Sequence, residues 1–422
     1  MEVKHSAQDW PSTHFMDDLE VQAAARVLAA RSPFRYYGPN LQREVEQFER
    51  EFADSVGTRF CVGVASGTAA LQVALAAMGI GPGDEVIVPG YFWVSTAAAV
   101  VRSGAIPRLA DIDDSFCLDP EDLQRKITSH TKAVIVVHMG GVMGRVEHVA
   151  DICKQNGLLL LEDCAQSAGA TKSGRSCGTF GDAAVFSFQL NKSLSAGEGG
   201  AIVTNDEALF NKAVLIHDLG YSRDPDGRPI TDDTAALYWG IGCRMSEVTG
   251  AVLRVQLVKL PWVISHMRGL KLLLRQVIAQ YPNIKLRAVD DVHGDAGTLL
   301  TLTFDSKATA KAFQASLSRN SILVKKTRLT STLMSDWGLH IYYRNKSLVD
   351  KRSICGHHSV WELQENAFAR DYFYGKGTLP ILDDVASRTL LFPIPVGLDE
   401  RDTRELIRMF ERSCRHVVID RS

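Results

Sequence analysis

Through the first half of the chain, hydrophobic and polar positions alternate between two patterns. RFCVGVAS (59–66), EVIVP (85–89), IPRLADI (106–112), TKAVIVVHM (131–139) and NGLLLLEDCA (156–165) are apolar runs of strand length. Between them lie an Ala-rich helical stretch (68–80), a run of small apolar residues (94–104) and a second helical stretch (145–155). Strands that are apolar throughout and alternate with helices predict a mostly parallel sheet covered on both faces, an α/β arrangement. DAAVFSFQ (182–189) and GAIVTND (200–206) add two strands close together.

After about residue 245 the pattern changes. Residues 245–281 read as one long helical stretch interrupted near Pro261, placed to join two domains. Then follow a strand (298–304), a helix (307–319), the strands SILVKK (321–326) and LLFPIPV (390–396), and a helix (402–416), the makings of a smaller α+β domain. Residues 340–378 are richer in aromatics and His than in periodicity and read as an irregular excursion. The division expected is 1–250, an N-terminal arm and large domain, and 251–422, a linking helix and small C-terminal domain.

Composition narrows the function. With 47 Lys plus Arg against 49 Asp plus Glu in 422 residues, the net charge is −2, so no excess of either sign favours nucleic acid or an acidic membrane surface. The eight cysteines are scattered without a C-x-x-C pair, which fits neither a disulfide framework nor a zinc site. His357-His358 is not read as a metal site, and no metal is expected. The first residues carry no apolar segment, and a reducing cytoplasm is the expected compartment.

Three local features carry chemistry. Ser66-Gly67-Thr68 ends a strand and opens a helix, whose free N–H groups and dipole favour an anion such as phosphate. Asp163 closes the run Gly157-Leu158-Leu159-Leu160-Leu161-Glu162, which puts a carboxylate at the strand end where open parallel sheets bind ligands. Glu162 points to the other face by strand alternation. Lys192 stands between the apolar Phe186-Ser187-Phe188 and the Gly-rich Gly197-Glu198-Gly199-Gly200, where desolvation would make it a nucleophile toward a carbonyl. Each has an ordinary alternative: a plain helix cap, an Asp capping a helix over AQSAGA (165–170), a surface lysine on a hairpin. Together they match what pyridoxal 5′-phosphate needs: a Schiff-base lysine, a partner for the pyridine nitrogen and a phosphate site. Trp93, after the EVIVP strand, is placed to stack on the ring.

The sequence closely resembles the DegT/DnrJ/EryC1/StrS sugar aminotransferases, fold-type I pyridoxal-phosphate enzymes. The resemblance runs from Phe34-Arg35-Tyr36-Tyr37-Gly38-Pro39 to the C-terminal helix, and rests on Ser66-Gly67-Thr68-Ala69-Ala70-Leu71, Glu162-Asp163-Cys164-Ala165-Gln166-Ser167 and residues 186–200. It implies an aspartate aminotransferase-like large domain with a seven-stranded-type sheet. It also implies catalytic roles for Lys192 (Schiff base) and Asp163 (pyridinium partner), Gln166 near the ring hydroxyl, Gly67, Thr68 and Ser187 on the phosphate, and Trp93 over the ring. A homodimer with shared active sites is implied too. One departure stands out. Many members carry an Asn, two residues before the Arg of an R-M-S-E-like stretch, that reaches the neighbouring subunit's phosphate; here Gly242 precedes Cys243-Arg244-Met245-Ser246-Glu247.

The expected reaction is transfer of an amino group from L-glutamate or L-glutamine to a keto sugar, nucleotide-linked, in amino-sugar or natural-product biosynthesis. The stretch 34–37, Cys164 and His217-Asp218-Leu219-Gly220 look like a sub-branch that includes enzymes of long-chain, octose-type sugars. Arg35, Tyr37 and the Tyr342-Tyr343 and His357-His358 pairs are candidates to face the substrate. Related sugar dehydratases have His at the lysine position, so Lys192 argues for transamination. A lyase and a non-catalytic regulator are the competing readings, and no DNA-binding helix pair supports the second.

Overall fold

The computed structural model describes residues 11–233, 237–320, 323–324, 327–356 and 358–419. Helices α1 (Asp18–Ala29) and α2 (Glu44–Val56) lead into the large sheet. Its chain order is β1 (Phe60–Val64), α3 (Gly67–Ala77), β2 (Glu85–Pro89), α4 (Ser95–Arg102), β3 (Ile106–Ala110), α5 (Pro120–Lys126), β4 (Thr131–Val137), α6 (Val146–Gln155) and β5 (Leu159–Asp163). A two-residue ribbon, β6 (Thr171–Lys172) with β7 (Arg175–Ser176), precedes β8 (Ala183–Ser187), β9 (Gly200–Thr204) and α7 (Glu207–His217). The seven-stranded sheet runs in the order β1-β9-β8-β5-β4-β2-β3. From β3 through β8 the neighbours are parallel, and β9 is antiparallel to both β8 and β1. The mostly parallel sheet expected from the apolar runs is present, with every central strand buried on both faces.

The small α+β part is also as expected. Helix α8 (Glu247–Ile278) leads to β10 (Ile284–Leu286), β11 (Leu299–Phe304) and α9 (Lys307–Asn320). A short pair follows, β12 (Leu323–Val324) with β13 (Thr327–Arg328), then β14 (Thr332–Leu333). The run SILVKK falls only partly within the described residues. Residues 338–369 form 3-10 turns and one short helix, α10 (Lys346–Val349), the irregular excursion expected. Helix α11 (Pro380–Arg388), β15 (Thr389–Pro393) and α12 (Glu400–Ile419) complete a sheet ordered β10-β11-β15-β14.

Two expectations need correction. Residues 165–170 form turns and no helix, so Asp163 caps nothing helical; its Oδ1 accepts from Ala165 N at 3.1 Å. Pro261 does not interrupt α8, which is continuous across it. A proline inside a helix costs about 3 kcal/mol, and burial of Leu253, Leu260, Val263, Ile264, Met267 and Leu274 on both sides offsets that cost. By length and composition α8, the long helical stretch read in the sequence, could also cross a membrane. It instead packs against α1, α2 and α12, with Lys271 buried and paired to Asp295.

The start of α8 organises α2. The N-cap of α2, Arg43, makes no side-chain cap, and Glu247 supplies one from outside the helix, accepting from Glu44 N at 2.6 Å and Val45 N at 3.3 Å. One turn on, a Cβ at Gly250 would stand 2.8 Å from Val45 N and 2.9 Å from its Cα. Gly250→Ala must therefore push α2 and α8 apart. It is expected to lower the urea midpoint by an amount worth about 1–3 kcal/mol without changing the slope; an unchanged midpoint would show that the crossing relaxes freely.

The loop after α7 is fixed by a polar cluster. His217 is buried, with Nε2 3.0 Å from Tyr36 Oη and Nδ1 2.6 Å from Val214 O. Burial, then the nearby Arg35 charge, pushes its pKa down to about 3. Below about 6.5 the unfolded chain protonates this residue while the folded one does not, so stability falls as pH falls from about 6.5 toward 3. Between pH 7 and pH 5 the loss is about 2 kcal/mol. His217→Gln should lose correspondingly less over the same interval in urea titrations at the two pH values, and equal losses would contradict the assignment.

Candidate functional site

The residues singled out in the sequence gather at one edge of the large sheet, beyond the C-terminal ends of the parallel strands. Ser66-Gly67-Thr68 follows β1, Trp93 follows β2, Asp163 ends β5 and Ser187 ends β8. This is the edge where open parallel sheets bind ligands.

The anion end is built by close backbone approach. Ser66 caps α3, accepting from Ala69 N at 3.1 Å, and leaves the first N–H groups of the helix directed outward. A Cβ at Gly67 would meet Ser187 Cβ at 2.7 Å and its Oγ at 3.1 Å, so only glycine lets that hydroxyl approach the helix N-terminus. A Cβ at Gly200 would meet the Ser66 carbonyl at 2.5 Å, so β9 also depends on glycine there. Thr68 Oγ1 lies 2.7 Å from Ser95 Oγ. The hydroxyls of Thr68, Ser95 and Ser187 thus surround a positive helix end, a cradle suited to phosphate.

The acidic end centres on Asp163, buried with 4% exposure. Thr96 Oγ1 donates to its Oδ2 at 2.9 Å and Ala165 N to its Oδ1. Burial pushes the Asp163 pKa up; Thr96, Ala165 N, Lys192 and His138 pull against it. A carboxylate desolvated to this degree is satisfied by a cation set against it. A protonated pyridine nitrogen is such a group.

Lys192 lies in the loop from β8 to β9. Lys192 N donates to Gln189 O at 2.9 Å, Phe188 N to Gly199 O at 2.9 Å and Ser195 Oγ to Phe188 O at 3.1 Å, which closes the loop on itself. Gly197 at φ 86° and Gly199 at φ 145° allow that path. The Lys192 side chain is half-buried, and its Nζ makes no hydrogen bond or ion pair with another described residue. Burial lowers its pKa, with Asp163 opposing. A desolvated, unpartnered amine is available to bond a carbonyl carbon.

Gln166 Oε1 accepts from Gly140 N at 3.1 Å, which leaves its amide N–H groups to donate. Trp93 is 43% exposed and tilts against His340 at 4.9 Å between ring centroids. Three of the other candidates point elsewhere. Arg35 is held by Glu49 at 2.6 Å and Gly63 O at 2.9 Å, Tyr342 Oη donates to Asp383 at 2.9 Å, and Tyr37 packs on Phe34. Of the paired histidines, His357 lies outside the described residues and His358 pairs with Glu362 at the surface.

Four contributors went unnoticed in the sequence. Ser95 and Thr96 sit in the stretch of small apolar residues, where only their position one and two residues past Trp-Val could have marked them as polar groups at the first turn of a helix. His340 comes from the irregular excursion, which periodicity does not resolve. His138 is buried, donates its N–H to Asp163 O at 3.0 Å and places Nε2 2.8 Å from Glu162 Oε2; its Nδ1 has no partner. Glu162, on the opposite face from Asp163 as alternation requires, also accepts from the N–H groups of Gly178, Phe180 and Gly181. His138, Glu162 and Cys164 bring ligand-type atoms within 4.8 Å of one another. The 2.8 Å between imidazole and carboxylate is a hydrogen-bond separation, and the carboxylate is already occupied by three amides.

The chain is similar to known proteins. The L-glutamine:2-deoxy-scyllo-inosose aminotransferase of Streptomyces kanamyceticus is 39% identical over 261 residues, 60% of this chain and 60% of that protein. The GDP-perosamine synthase of Caulobacter vibrioides is 40% identical over 220 residues, 51% of this chain and 56% of that one. The match thus spans about three-fifths or less of the length of these curated relatives. The crystal structure of 3-amino-5-hydroxybenzoic acid synthase aligns with 98% of this chain and 98% of its own, at 27% identity and a TM-score of 0.76. The model of one family matches residues 20–332, and the chain accordingly belongs to the DegT/DnrJ/EryC1/StrS aminotransferase family.

Proposed function

We propose that the chain is a pyridoxal-phosphate-dependent aminotransferase that moves the amino group of an amino acid to the ketone of a sugar or sugar-like polyol. Pyridoxal 5′-phosphate is the cofactor of the family. The observation that carries the reading is the pairing of buried Asp163 with the unpartnered amine of Lys192 at one strand edge, beside a hydroxyl-lined helix N-terminus.

Asp163 would hold the ring nitrogen, Gln166 the ring hydroxyl, Thr68, Ser187 and the N–H groups of α3 the phosphate, and Lys192 the aldehyde carbon, with Trp93 against the ring. Once bound, the cofactor supplies an electron sink for the pair left when the donor's Cα–H bond breaks. Lys192 Nζ, which the donor's amine would displace from the aldehyde carbon, is then a free amine with a lowered pKa that would take that proton as base and return it as acid. Asp163, fixed by Thr96 and Ala165 N, keeps its charge opposite the ring nitrogen. The donor leaves as a 2-oxo acid and the ketone becomes an amine.

L-Glutamine or L-glutamate is the proposed donor, supported by the glutamine-dependent relative. For the acceptor, the two relatives' names cover a cyclitol ketone and a GDP-linked sugar, so a nucleotide-linked sugar and a free cyclitol both fit the class. The octose-type expectation finds no counterpart in those two. A pair of copies sharing sites is proposed on the strength of Leu237, Tyr238, Trp239 and Ile241, all exposed on the loop that joins Cys243 O to Ala65 N at 2.7 Å, next to the phosphate cradle.

Three experiments bear on this. Lys192→Ala should abolish transamination and the visible band of the lysine-bound cofactor; retained turnover would remove Lys192 from its role. Wild-type enzyme given L-glutamine and a panel of polyol ketones should yield an aminated product by mass spectrometry. Thr96→Val deletes one hydrogen bond to the Asp163 carboxylate, and should weaken cofactor retention on dialysis by about tenfold and lower kcat. Unchanged retention would mean that Ala165 N alone positions Asp163.

A further inference from the structure

The part of the chain after α8 sends one segment back onto the site edge. Phe92 N donates to His340 O at 3.0 Å, Tyr342 N donates to Gly90 O at 3.0 Å, and Tyr91 bridges Ile341 in antiparallel fashion. Residues 340–342 therefore run beside the turn that ends β2 and carries Trp93. In this way a residue distant in sequence reaches the neighbourhood of Lys192.

The side chain delivered there is His340. Its ring stacks on Trp337 at 3.7 Å and 6°, and lies 4.9 Å from the Trp93 ring. The two indoles fix its position. Its Nδ1 is 3.0 Å from Trp337 O. A carbonyl only accepts, so Nδ1 carries the proton, and Nε2 of the neutral ring is a lone-pair acceptor. The ring stays neutral because burial, then proximity to the Lys192 charge, brings its pKa down to about 4. A phenyl ring would satisfy the stacking equally well, and nothing in the proton movement assigned to Lys192 or the charge assigned to Asp163 calls for an imidazole here.

A neutral acceptor against Trp93 favours a ligand rich in hydroxyls. The carboxylates of L-glutamate offer it no proton and L-glutamine offers only its side-chain amide, whereas every hydroxyl of a polyol can donate to it. We propose that His340 is a substrate-recognition residue, whose Nε2 accepts a hydrogen bond from a hydroxyl of the polyol ketone that receives the amino group. This rests on the proposed reading that the acceptor is a polyol ketone, and it adds to that reading a residue that distinguishes acceptor from donor.

The test uses holoenzyme and three variants. His340→Asn keeps a donor in the place of Nδ1 and loses Nε2, His340→Phe keeps the stacking and loses both, and His340→Gln returns a polar group near the Nε2 position. With the ketone, KM should rise about tenfold in the Asn and Phe variants and recover in part in Gln, with kcat changing less than about threefold. Tryptophan fluorescence, reporting through Trp93 and Trp337, should show the same weakening of ketone binding without turnover. The donor half-reaction with L-glutamate, followed in a single turnover, should change by no more than about twofold. An unchanged KM in His340→Phe overturns the inference, and so does a donor half-reaction that falls as far as the ketone reaction does. Wild-type enzyme that completes the donor half-reaction yet aminates no polyol ketone overturns the substrate reading itself, an outcome visible without any His340 variant.

Discussion

A carboxylate buried beside a half-buried amine is the constraint around which this structure is arranged. Asp163 ends β5 and Lys192 lies in the loop that follows the neighbouring strand β8, and the two make no direct ion pair. Two charges taken out of water and left apart are costly, and each shifts toward its neutral form: the Asp163 pKa rises and that of Lys192 falls. Thr96 and Ala165 N only partly compensate Asp163. The site is therefore unsatisfied in the direction of a ligand that is cationic where it meets Asp163 and carbonyl-bearing where it meets Lys192. Buried polar groups without partners are rare in folded proteins and concentrate where chemistry is done.

The rest of the fold keeps that pair apart and properly walled. β5 and β8 are held in register with Asp163 opposite Val185, so the carboxylate cannot move along the strand without shifting the core. Glu162, one residue earlier, anchors the 178–181 turn with three amide contacts and holds His138 on the other face. Two neighbouring carboxylates thus have opposite tasks, one tying the sheet to its turn and the other left toward the ligand. The wall above the site is completed by the 340–342 segment, joined to 90–92 through main-chain bonds that tolerate side-chain change and so deliver His340 whatever its neighbours are.

The parts of this arrangement legible in the sequence are those governed by local pattern. Seven strands and the helices α3, α6, α8, α9 and α12 follow from apolar runs and their alternation, because a parallel strand buried on both faces has no other composition available. Ser66-Gly67-Thr68, Asp163 and Lys192 were identifiable because each stands where an apolar run stops. Thr96 was not, since a threonine within small apolar residues looks like any helix residue until β5 is placed beside α4. Arg35 misled for the converse reason: an arginine in a loop suggests a substrate contact, and only the fold reveals Glu49 and the Gly63 carbonyl beside it. Pro261 misled because local propensity was weighed without the burial on both of its sides. His340 depends on a contact between residues some 250 positions apart, which no periodicity encodes.

Gly242, where the chain departs from the pattern it otherwise resembles, has a physical account of its own. It adopts φ 70°, a conformation that glycine takes without strain, and a Cβ there would touch nothing within 4 Å. The loop does not need a side chain at this position to hold its shape. Asp218 supplies that, accepting from Arg223 Nε at 2.6 Å and Arg244 Nη1 at 2.5 Å, while Gly242 N bonds Asp218 O and Cys243 N bonds His217 O, both at 2.9 Å. Burial of Asp218 between two guanidiniums keeps it ionised, since their hydrogen bonds outweigh the desolvation that opposes them. An amide missing at 242 therefore leaves the loop intact and alters only what the loop presents outward. Among the described residues that outward face carries Leu237, Tyr238, Trp239 and Ile241, so the loop presents aromatic and aliphatic surface there and no side-chain amide at 242.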